Sequence, residues 1–133
     1  MRRELILPVD ESAPLRARSA LNDAIPPPVL NGRAENACLA VSEIAANAVR
    51  HGRLRPDQDT LRLVIEADDH HVRVDIEQST ATVGLRVVEP LMDDPLRIGG
   101  YGLHLVEQMA DEWGFEPGPP GHVWFEFRRE DDR

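Results

Sequence analysis

Lysine is absent from this chain: all 15 basic residues are arginine. A phosphate loop built on a lysine ammonium is thereby excluded, so any phosphate held here falls to backbone N–H groups, arginine or a metal ion. Cysteine is almost absent. Cys38 stands alone and cannot form an internal disulfide, which agrees with a reducing compartment, and among apolar neighbours it reads as a small buried helix residue. No apolar stretch approaches the roughly 20 residues needed to cross a bilayer. The opening "MRRELILPVD" meets Pro8 and Asp10 before a signal-peptide core could form, so a cytoplasmic protein without membrane contact is expected. Positive charge is also short: 15 bases face 24 acids, a net charge of −9. Such a surface repels a phosphate backbone, which argues against direct nucleic-acid binding.

What is present fits one soluble globular domain over residues 1–133, with 41% hydrophobic and 29% charged residues. Residues 3–9 alternate weakly and predict an edge strand. Ser12 as N-cap and Pro14 in the first turn open a helix that "PPP" at 26–28 ends. From about Ala34 to His51, Ala37, Val41, Ile44 and Ala48 recur at helical spacing, and Gly52 supplies the stop. "TLRLVIEA" and "HVRVDIEQ" alternate around a "DDH" turn, predicting a hairpin with Leu61, Leu63, Ile65, Ala67, Val72, Val74 and Ile76 on its buried face. "GGYGLHLVEQMADEWG" predicts a further helix with a Leu103, Val106, Ala110, Trp113 stripe ending at Gly114, and "HVWFEF" a last strand. The expected architecture is α+β: a mixed, mostly antiparallel sheet with helices on one face. Residues 79–98, broken by Pro90, Pro95 and acids, are too long for an ordinary connection and read as a lid or binding loop.

Two features carry chemistry. Glu43 and Asn47 lie one turn apart on the second helix, on a stripe with Ala40 and Arg50 that opposes the apolar one. A carboxylate beside a carboxamide oxygen suits magnesium, which keeps several waters and takes one or two protein oxygens plus substrate phosphates; the same pair also reads as an ordinary polar face. The "GGYG" at 99–102 places glycines before a helix, where backbone N–H groups converge on an anion or simply form a hinge. Arg86 and Arg97 in the lid read as solvated charges or as partners for phosphate on closure. His70 and His71 read as turn residues, and Trp113 and Trp124 as core or core rim.

In this order the motifs resemble the GHKL, or Bergerat-fold, ATPases, and within them the small bacterial anti-sigma-factor serine-protein kinases. "LAVSEIAANAVRHG" is similar to the N box of that family, "GGYGLHLVEQMADEWG" to its second glycine box, and "VWFEF" to its terminal strand, so nearly the whole chain is covered. The resemblance implies an α/β sandwich that binds ATP with Mg²⁺. It makes Asn47 the metal ligand and Glu43 the general base. Gly100 and Gly102 would line the triphosphate, with Gly99 and Leu103 beside them in the nucleotide site. The implied partners are a sigma factor and a small antagonist protein phosphorylated on serine; homodimers are common among such relatives. The chain departs from the family at the adenine subsite. Gln78 stands where an Asp usually meets the adenine amino group, Thr80 and Thr82 replace common glycines, and His122 stands where a Thr often precedes the last strand. By the resemblance, two partners in one subsite, Gln78 and His122, have changed together. Two readings follow: an ATP-binding regulator, or a non-catalytic interaction domain of the same fold with weak or lost nucleotide binding.

Overall fold

A computed structural model describes residues 1–26, 33–51, 55, 57–80, 106–107, 110–116 and 122–129, excepting the side chains of residues 47, 50, 51, 79, 80, 115 and 116. The elements run β1 (Arg2–Pro8), α1 (Ala13–Ala24), α2 (Ala34–His51), β2 (Asp59–Ala67), β3 (His71–Thr80), β4 (Glu112–Glu116) and β5 (His122–Arg128). The strands form one sheet in the order β1-β2-β3-β5-β4, and every pairing among them is antiparallel. The expected α+β class holds, and β1 takes the edge position expected of residues 3–9.

Alternation divides the sheet into two unlike faces. Leu61, Leu63, Ile65, Val72, Val74, Ile76, Val123, Phe125 and Phe127 point to the helices and are almost wholly buried. Fully burying side chains of this size contributes about 1.5–3 kcal/mol each, so this face fixes the register: a slip of one residue would expose the entire set. The opposite face carries charge. Arg62 reaches Glu4 at 2.7 Å and Glu77 at 2.8 Å, tying three strands together, and Arg73 and His122 both meet Asp75.

Glu35, Asn36 and Leu39 of α2 are exposed on one side, whereas its Ala37, Ala40, Ala45 and Ala48 have no exposed surface. Small side chains there let α1 and the sheet approach closely. Cys38, buried as expected, bridges to α1 by a 3.2 Å contact with Asn22 Oδ1, and burial pushes its thiol pKa up. Pro14 sits in the first turn of α1 as predicted, but Ser12 has helical φ and ψ and makes no side-chain cap. Its N–H and hydroxyl are instead drawn back to Asp10 Oδ1, at 2.8 and 2.5 Å. The β2–β3 turn is built by Asp68, whose carboxylate accepts the N–H groups of His70 and His71.

The C-terminal third departs from expectation. Val106 and Glu107 are helical, and the Ala110 N–H still reaches Val106 O at 2.9 Å, but Trp113 and Gly114 belong to β4. Gly114 is therefore no helix stop. Its backbone lies opposite Trp124, and a Cβ there would come within 2.7 Å of the indole. The glycine is needed for that close approach, while Arg73 covers the same indole at 4.3 Å. Trp124 thus lies on the charged face, away from the core.

Candidate functional site

The end of the sheet where β2 begins and β3 finishes is also the end at which the chain arrives from α2. There Asp59 pairs with Thr80 and Leu61 with Gln78. β3 alternation places Gln78 with Ile76 and Val74 on the helix-facing side, and it has no exposed surface. Neither its amide nitrogen nor its amide oxygen has a hydrogen-bond partner. An apolar side chain at this position would leave nothing unsatisfied, whereas an orphaned buried amide costs about 1–3 kcal/mol. A ligand with both an acceptor and a donor would remove that cost.

Asp59, 2% exposed on the same face, turns one carboxylate oxygen to the Arg55 N–H at 2.6 Å. This closes the turn that leads into β2. The motif reading passed over Asp59, although the turn residues of "RPDQDT" were a signal for it.

Glu43 is half-buried on α2. Ala40, one turn earlier on its stripe, has no exposed surface, so the described part of the stripe is not a solvated face. Asn47 lies four residues on in α2, and its side chain is outside the described residues, as is that of Arg50. Gly99, Gly100, Gly102 and Leu103 lie outside them too, with Arg86, Arg97 and most of the expected lid. Residues 79 and 80 belong to β3 instead of the lid.

His122 is the expected site residue that the structure moves away. It pairs with Glu77 in the β3–β5 ladder, and its Nδ1 lies 2.7 Å from Asp75 Oδ1. Both belong to the charged face. Gln78 and His122 therefore occupy opposite sides of the sheet, and the side chain at the start of β5 that shares a face with Gln78 is Val123, 1% exposed. The alternation of Phe125 and Phe127 contained this outcome: counting back by twos reaches Val123, not His122. Among the described residues no group of three or more His, Cys, Asp or Glu could hold a metal ion, and no helix is long and apolar enough to cross a membrane.

A helix-backed antiparallel sheet with a buried, unsatisfied amide near the end of its third strand defines a class, and comparison with known proteins gives it a name. Residues 14–124 match the model of the histidine kinase-like ATPase domain, and the chain belongs to that family. No curated protein matches it significantly. Among solved structures it is similar to the histidine kinase domain of the blue-light activated histidine kinase from Erythrobacter litoralis EL346, with a TM-score of 0.56 and 17% sequence identity. That alignment covers 94% of this chain and 63% of the other, a likeness of fold.

Proposed function

We propose that this domain binds ATP with magnesium at the Gln78 end of the sheet and acts as a regulator of the anti-sigma serine-kinase type. It would bind a sigma factor, phosphorylate a serine on a small antagonist protein, or do both. The observation that carries the nucleotide reading is the fully buried Gln78 amide with both polar atoms unpartnered. A carboxamide there offers an acceptor to the adenine amino group and a donor to the neighbouring ring nitrogen. Val123 and Leu61, on the same face, offer the base an apolar wall.

Asn47 would hold the magnesium and Glu43 would take the proton of an attacking serine hydroxyl, with Gly99, Gly100, Gly102 and Leu103 around the phosphates. Bound ATP supplies the transferable phosphoryl group. The half-buried setting of Glu43 suits a base shielded from bulk water. The interaction-domain reading rested on two departures in one subsite. Since His122 lies on the other face, only the neutral Gln78 remains of that pair.

A calorimetric titration with magnesium–ATP, with ADP for comparison, tests the proposal. Saturable binding that weakens in Asn47→Ala and Gln78→Met is expected. Glu43→Gln should keep ATP and lose phosphotransfer to a serine of the antagonist. A folded wild-type protein that shows no heat of binding would leave the interaction domain as the surviving reading.

A further inference from the structure

Nothing around the Gln78 amide fixes its direction. The side chain has no exposed surface, and neither Nε2 nor Oε1 has a hydrogen-bond partner. Its cross-strand neighbour is Leu61, and Ile76 and Val123 on the same face are apolar and buried as well. Asp59, also on this face, gives its Oδ2 to the Arg55 N–H at 2.6 Å and makes no bond to the amide. The terminal torsion of a carboxamide is broad and roughly two-fold. A half-turn that exchanges nitrogen for oxygen therefore breaks no hydrogen bond here.

The two kinds of purine edge are reversed copies of one donor–acceptor pattern. Adenine carries an amino donor at its 6-position beside an acceptor ring nitrogen, whereas hypoxanthine and guanine carry a carbonyl acceptor at the 6-position beside a ring N–H donor. A carboxylate can only accept, so one placed against the 6-position favours the amino group and repels the carbonyl. A carboxamide with freedom to turn meets either edge with two complementary bonds, in one orientation for each.

We propose, on the nucleotide reading above, that Gln78 makes the base subsite indifferent to the 6-substituent, so that 6-oxopurine nucleoside triphosphates bind there alongside ATP. Strong rejection of an analogue arises when it leaves the buried polar groups of a site unpaired. Here either edge pairs both atoms of the amide, and neither ligand meets that penalty.

Calorimetric titration of the whole chain in the presence of magnesium tests this with three probes: ATP, ITP and purine riboside triphosphate, which has no 6-substituent. ATP and ITP should bind within about fivefold of each other. The third probe, left with a single contact to the amide, should bind about three- to tenfold more weakly than either. Gln78→Met removes a buried unsatisfied amide and should leave the fold intact. In that variant all three probes should weaken, and the differences among them should shrink to within about twofold. A wild type that binds ATP but loses more than about fivefold for ITP would have an amide set for adenine; the nucleotide site would stand and the proposed indifference would be overturned. Equal affinities for all three probes in wild type, or a Gln78→Met variant that keeps the wild-type ranking, would overturn it by showing that Gln78 does not read the base edge. If none of the three bound, the nucleotide site itself would fall, and its base preference with it.

Discussion

A single amide, Gln78, connects stability to binding. Its nitrogen and oxygen are buried without partners, so the ligand-free fold carries a cost that a thioether of similar volume would not. Gln78→Met should raise the stability of the ligand-free protein by about 1–3 kcal/mol while weakening nucleotide binding. Denaturant unfolding beside ATP titration checks both signs, and a variant that lost stability would show that the amide is satisfied after all. Gly114 is the second residue on which much depends. With a Cβ position 2.7 Å from Trp124 Nε1, Gly114→Ala must push the indole off its seat, at a cost of about 1–3 kcal/mol. The displaced indole should lose its contact with Arg73, and the change should appear in tryptophan emission; an unchanged spectrum and melting temperature would refute the packing argument.

Strand β1 is held to the sheet by pairing and by the Glu4–Arg62–Glu77 bridge. Hydrogen bonds from Arg62 and Arg2 hold the Glu4 carboxyl at about 2, well below its ordinary value of 4.5. A depressed folded-state pKa contributes stability that is complete above pH 4.5 and is lost as pH falls through about 2. The difference in stability between wild type and Glu4→Gln should therefore be full at neutral pH and close between those two values, as an acid-unfolding series would reveal. The elements themselves were legible where one period dominated. α2, the β2–β3 hairpin and β5 each follow a single alternation or helical stripe, and tertiary packing agreed with it; β1 alternates only weakly, and its Leu5 and Ile6 are both exposed. The helix expected through Trp113 failed because two periods overlap. Leu103, Val106 and Ala110 continue numerically to Trp113, yet Trp113 and Phe115 also alternate as a strand. Gly114 looked like a stop because its partner, Trp124, is ten residues away and visible only in the folded sheet. At the site, Gln78 was legible from its motif, whereas pairing it with His122 ignored the sidedness that the phenylalanines of β5 already imposed.

As a whole, the molecule divides its sheet into unlike regions: an apolar face backed by helices, a charged face open to water, and an end that buries an unsatisfied amide. If that end binds ATP, the ligand should stabilise the entire fold by mass action, by about 2.7 kcal/mol at a hundredfold excess over the dissociation constant. Melting curves with magnesium–ATP should show the shift in wild type and not in Asn47→Ala. The strand order also has a consequence in time. β2 and β3 are joined by the short Asp68 turn, while β1 meets β2 only after both helices have intervened. The hairpin closes a short loop and β1 a long one, so the hairpin belongs to the early stages of folding and β1 to the late ones. Weakening β1 should then hasten unfolding and leave the folding rate nearly untouched. In the native protein, amide protons of β1 should exchange with solvent before those of β2 and β3.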